Sequence, residues 1–372
     1  MTRSSFLARP SLAAPVWLLL LAFAALAQPP AEGTISLDGL TRVRIAAFGR
    51  ISVEPDAPGG ALHYRWIGTP AVLAVKSSGA WRIISATRKP QDPMPGELRV
   101  ALPASLVQAF IASDQGALTV RGLKAAIEAV TLAGNVDIRD IHGRVSARTG
   151  GGEMTFAAIT GDLRSLSGGG AIRVESVDGE SALQSAGGDI IVGRVSGPLR
   201  ASTSGNIHVR DAGSAVSVHT AGGLIHIGRA RGMVTAENGG GSIVIGSAPG
   251  VHAESAGGGI RLKSVSGPVR ATTTSGPIVA GFTRNATLAT SFLSSGAGDL
   301  TVHLPSNLSV TVKALNESSG WLGAIASEFP EIQARQPTSG YGSAFAQGDL
   351  NGGGPLLMLS VSRGSIFVKR AR

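Results

Sequence analysis

His208 and His226 stand 18 residues apart, each between two apolar residues, in Ile207-His-Val209 and Ile225-His-Ile227. The same slot in neighbouring segments holds Arg173, Ile191, Val244 and Arg261. If those segments stack in register, the slot becomes one outward strip. Two imidazoles on adjacent layers offer a weak metal site or a patch whose charge rises with acid, and the arginines offer a grip on an anionic glycan. Such a strip would bind more strongly below about pH 6.5, where an unperturbed imidazole gains its proton. The plainer reading of the same residues is a half-exposed strand face carrying assorted side chains. Arg173, His208, His226 and Arg261 therefore form the candidate anionic-ligand strip, and no catalytic, cofactor-binding or metal-ligating residue is assigned.

Other chemistry is sparse. Neither Gly-x-Ser-x-Gly nor His-x-x-x-His occurs, and no phosphate loop or zinc spacing is present. Asp137, Asp162, Asp178, Asp189, Asp211 and Glu237 do not share one register, so they do not converge as acids of a polysaccharide-cleaving face. Gly187-Gly-Asp189 resembles one fragment of a calcium-binding nonapeptide repeat, but Ala171, Asn206, Leu224 and Ser242 fill the same place elsewhere. That leaves no ladder of carboxylates to bridge turns through calcium, and no cofactor is expected.

What positions the strip is a repeat. Gly116, Gly134, Gly152, Gly170, Gly188, Gly205, Gly223, Gly241, Gly258, Gly276 and Gly298 each precede an apolar residue by two, at steps of 17 or 18 and a last step of 22. So short a period predicts a solenoid, because one repeat cannot bury its own apolar face. Leu118, Val136, Met154, Ile172, Ile190, Ile207, Ile225, Ile243, Ile260 and Ile278 form the first inward column. A second column follows two residues later and a third at five, from Leu123 to Val265. A further strand then pairs a large inward residue, such as Val216 or Val234, with a mostly small one, such as Ala236 or Ala253. Period-2 alternation on two strands per repeat predicts an all-β parallel β-helix of about ten coils, roughly 45 to 50 Å long at the spacing of paired strands. A left-handed hexapeptide coil fails, since steps of six from Ile172 reach Asp178 and Gln184. The chirality of strand crossovers favours a right-handed coil.

Composition sets the compartment. Arg3 and Arg9 precede an apolar run that ends in Ala25-Leu-Ala27, the pattern of a secretory signal peptide over residues 1–27. Removing those two from 33 basic residues leaves 31 against 24 acidic ones, a formal +7. With no cysteine, stability must come from burial and backbone pairing, and no lipid-anchoring cysteine follows the leader. For an exported protein a basic surface points to anionic envelope glycans, lipopolysaccharide phosphates, lipid headgroups or another envelope protein rather than to nucleic acid, and the plainer reading is that the excess arginines only solvate the surface. Residues 28–115 read as N-terminal capping strands, 116–283 as regular coils, and 284–372 as C-terminal coils and closing strands. Within the last segment, 317–350 reads as a loop excursion because Ser, Gly and Pro dominate it. No transmembrane segment is expected after the leader.

The Gly-x-Ile-x-Val turns, Leu98-Arg-Val100-Ala-Leu102-Pro103, its counterpart Leu300-Thr-Val302-His-Leu304-Pro305, and the ending from Leu350-Asn-Gly-Gly-Gly-Pro355 to Gly364-Ser-Ile-Phe-Val368 belong together. They resemble the bacterial putative-adhesin β-strand-repeat family, a domain of unknown function, over most of residues 33–370. The resemblance implies an exported, non-catalytic, adhesin-like β-helix and carries over no catalytic residue. Without a recognisable sorting signal or lipobox, periplasmic, cell-surface and secreted locations all stay open. The expected function is a binding or structural scaffold of the cell envelope; the alternative is a polysaccharide lyase or hydrolase built on a β-helix.

Overall fold

The computed structural model describes residues 31–55, 60–68, 71–87, 96–317, 324–335 and 342–371. The leader expected over 1–27 lies outside them, as do Pro90, Pro93, Pro95, Trp321 and Tyr341. Among the described residues the regular elements are strands, and no helix is long and apolar enough to cross a membrane.

Each repeat supplies two strands, Ile207–Ala212 and Val216–Thr220 in one coil, separated by a tight corner. Ile207 pairs in parallel with Ile190 below and Ile225 above, while Val216 pairs with Leu199 and Val234. The first strands build one sheet and the second strands another, so the protein is a two-sheet β-solenoid. Eleven first strands, from Leu118–Arg121 to Leu300–Leu304, follow one another without interruption.

Every inward column lies between the sheets. Ile207, Val209 and Ala212 are at most 1% exposed, and Ile225, Ile227, Val234 and Ala236 are fully buried. Large first-sheet residues interdigitate with small second-sheet ones, which fills a narrow core at native density. The periodic glycines are required by close approach: a Cβ on Gly223 would lie 2.2 Å from the carbonyl oxygen of Gly205. At the other corner Gly161, with φ of 138°, adopts backbone that disfavours a side chain.

A third inward position of the second strand is polar. Thr220 is fully buried, and its hydroxyl donates to Gly205 O at 2.7 Å while accepting from Gly223 N at 3.3 Å. Thr149 donates to Gly134 O and accepts from Gly152 N, and Ser255 does the same with Gly241 and Gly258. In most coils one hydroxyl or amide thus ties the turn to the coil below, whereas Ser167 accepts from Gly169 N within its own turn. The signal was present in the sequence, since Ser, Thr or Asn precedes each of the eleven glycines by three residues, although at Gly205 the bonding residue is Thr203, two before it. Thr220→Val keeps the shape and deletes both bonds, so denaturation should show a loss of about 1–3 kcal/mol. No change in the midpoint would mean that the ladder does not hold the turns.

The ends are interleaved. Arg42–Ala47 lies between Trp81–Thr87 and Gln108–Ser113, and Arg50–Pro55 lies between Glu97–Leu102 and Leu118–Arg121. The first coil in the chain is therefore second in the stack. At the far end Leu356–Arg363 lies between Ser291–Ala297 and Val310–Asn316, and Ile366–Arg370 between Leu300–Leu304 and Ile325–Ser327. Antiparallel strands finish the sheets, with Glu32–Ser36 on Ala61–Ile67, Val72–Ser78 on Trp81–Thr87, and Ala344–Leu350 on Val310–Asn316. Such strands limit further pairing at the ends.

The loop expected over 317–350 is corrected. Its described part holds three strands, Ile325–Ser327, Gln333–Arg335 and Ala344–Leu350. Ala344, Ala346 and Leu350 are buried at even spacing, a period-2 pattern that the surrounding Ser and Gly obscured.

Candidate functional site

The outward slot of the first sheet is continuous. Arg173 pairs with Ile191, Ile191 with His208, His208 with His226, His226 with Val244, and Val244 with Arg261. Alternation places these side chains outside because their neighbours on both sides point into the core. The expected strip exists as geometry, but its charge is uneven.

The centre is the histidine pair. The Nδ1 atoms of His208 and His226 are 3.0 Å apart, with ring centroids at 4.5 Å and planes tilted by 52°. One Nδ1–H donates to the other ring's bare Nδ1, so the contact requires that at least one ring be neutral. Burial, then His208, then the Lys263 ammonium hold the His226 pKa below the ordinary imidazole value. The acid strengthening expected of the strip would therefore set in lower for His226 than the pH of about 6.5 expected of a free ring. The unfolded chain takes up this proton more readily than the folded one. The ring's contribution to stability is thus full above the free-imidazole pKa and is lost as pH falls from there through the folded value. Proton NMR should find the His226 ring titrating below a free imidazole, and Lys263→Met should move it upward; a titration unmoved by Lys263→Met would remove the ammonium as a cause.

Arg173 belongs to a different electrostatic half. It pairs with Glu153, while Arg139 and Arg121 both reach Asp137. First-sheet strands from Leu118–Arg121 to Ile172–Asp178 carry Arg121, Arg139 and Arg173 against Asp137, Asp140, Glu175 and Asp178. Those from Ile190–Val195 to Ile260–Val265 carry Arg194, Arg210, Arg229, Arg261 and Lys263 against Asp211 alone. Arg194 lies 3.7 Å from Asp211, which also sits in register with Arg229. Arg210, Arg261 and Lys263 face outward beside the histidines with no carboxylate partner among the described residues.

Arg210 and Lys263 are the residues that the strip omitted. Each lies two positions beyond a strip residue on the same face, so following the alternation one step further would have found them. On the second sheet the comparable region is compensated: His219 lies 3.4 Å from Glu237 and His252 2.9 Å from Glu254. Two of the scattered acids serve the turns, while Asp137, Asp211 and Glu237 pair with arginines or a histidine on the strands. Asp189 accepts from the backbone and side-chain nitrogens of Asn206 in the next coil, and Asp162 from Glu180 N.

No family model matches the sequence, and no curated protein matches it. Among solved structures, a crystal structure of a putative cell adhesion protein from Clostridium sporogenes ATCC 15579 is aligned over 91% of this chain and 99% of that one, at 8% identity and a TM-score of 0.20. A superposition that poor carries no argument about fold or function.

Proposed function

We propose that the chain is an exported, non-catalytic binding scaffold of the cell envelope, adhesin-like in use, whose ligand is an anionic glycan. The observation that carries this reading is the basic half of the first sheet, with five cations against one carboxylate on a flat, stacked face. Arg210 and Lys263 are three coils apart, about 14 Å at the spacing of paired strands, which suits a polymer of repeated charge better than a single small anion. The leader-like residues 1–27 support an envelope setting and disfavour nucleic acid. A second envelope protein with an acidic face would use the same surface.

Binding to polygalacturonate measured by calorimetry tests the reading. The triple change Arg210→Ser, Arg261→Ser and Lys263→Ser should weaken binding about tenfold or more, and added salt should weaken the parent more than the variant, because exposed charges are screened within about 8–10 Å. Equal affinity and equal salt response in both proteins would remove the basic half from consideration. The enzymatic alternative is separated by incubating the protein with neutral and anionic polysaccharides. New reducing ends or unsaturated products, lost on changing one surface cluster, would overturn the non-catalytic reading.

A further inference from the structure

The outer face of the first sheet is hollowed at its N-terminal end. Two cross-strand rows define the hollow: Glu32, Arg65, Arg99 and Ser52 in one, and Thr34, His63, Ala101 and Glu54 in the other. Ala101 stands between His63 and Glu54 where its row otherwise carries longer side chains, so its methyl group forms the floor. The open volume is about 850 Å³, within the roughly 300–1,000 Å³ of small-ligand sites.

The walls are polar and hold one another in place. Arg65 Nη2 is 2.7 Å from Glu32 Oε2, and Arg99 Nε is 3.1 Å from Glu97 Oε1, which also accepts from the Ser52 hydroxyl at 2.9 Å. Thr34 Oγ1 and His63 Nδ1 are 2.7 Å apart. Arg99, with help from Ser52, holds the Glu97 carboxyl below its ordinary pKa. Tyr64 and Val100 turn inward and are at most 6% exposed, so no apolar platform is offered to a lipid or an aromatic ligand.

We propose that this hollow binds a neutral saccharide. Its three carboxylates, Glu32, Glu54 and Glu97, oppose a polyanion, and Arg65 and Arg99 oppose a polycation. What remains is a set of hydrogen-bond donors and acceptors, close to charge balance, which is the complement of vicinal hydroxyl groups. The inference rests on the reading of the chain as a binding scaffold but uses another surface. Six coils separate the hollow from His208, about 29 Å at the spacing of paired strands.

The test uses the full chain and three neutral probes, cellohexaose, chitohexaose and mannohexaose, with polygalacturonate as the anionic one. Ala101→Ile fills the hollow with a residue suited to a strand, and Arg99→Ser removes a wall while leaving the core untouched. At least one neutral probe should bind the parent and lose tenfold or more in affinity in both variants, whose melts stay close to the parent's. Polygalacturonate binding should be unchanged in both and lost only with the Arg210, Arg261 and Lys263 changes. Failure of all three neutral probes, or binding that survives Ala101→Ile, would overturn the proposal while leaving the basic half standing. Polygalacturonate binding that disappears with Ala101→Ile would overturn the ligand class.

Discussion

Ile207→Asp is expected to cost on the order of 4 kcal/mol or more, or to prevent folding, while the adjacent His208→Asp stays within about 0.5 kcal/mol of the parent. Ile207 is 1% exposed in the first inward column, between Ile190 and Ile225 of the neighbouring coils. A carboxylate there loses its water and finds no cation or donor, so it must take up a proton or break the stack. His208 points into solvent, and an aspartate in its place meets His226 and the surrounding cations. Each coil touches only its neighbours, so the lesion is central and should also open a protease-sensitive site near residues 190–225. Denaturation followed by circular dichroism decides the matter. Equal midpoint shifts in the two variants would mean that the register is wrong by one residue.

Gly223→Ala should destabilise by about 3 kcal/mol, near the upper end of overpacking costs, whereas Gly222→Ala should be neutral or slightly stabilising. The new methyl carbon at 223 would sit 2.2 Å from Gly205 O, 2.4 Å from Gly205 C and 2.7 Å from Asn206 N. All three atoms are backbone of the coil below, so relief requires that two coils separate. At 222 a Cβ meets nothing within 4 Å. The two changes share chemistry and differ only in what the methyl group meets. A pair of coincident unfolding curves would show that the glycine ladder reflects flexibility rather than close stacking.

The strip was legible because strand alternation fixes which residues share a face, and equal repeat lengths fix which of them become neighbours. His208 and His226 meet for that reason. Its charge was not legible in the same way. The pairing of Arg173 with Glu153 joins one coil's outward residue to the turn of the coil below, and Lys263 acts on His226 from two coils above. Both depend on where long side chains extend after the backbone has set their origin. The N-terminal hollow was less visible still, since Glu32, Arg65, Arg99 and Glu54 come from four strands that lie out of chain order.

The sequence by itself determined the coil: two strands per repeat, the inward columns, the glycines at the corners and the polar residue that ties each turn. These are local facts, repeated often enough that only one register buries every apolar column at once. Tertiary structure alone decided the order of the end coils. Arg42–Ala47 offers a similar apolar pattern to Trp81–Thr87 and to Gln108–Ser113, and it pairs with both, one on each edge. Parallel strands of similar pattern are interchangeable to local reasoning. Which of them stacks on which is fixed by the length of the intervening chain and by the antiparallel strands that close the exposed edges, and both act only once the sheets have formed.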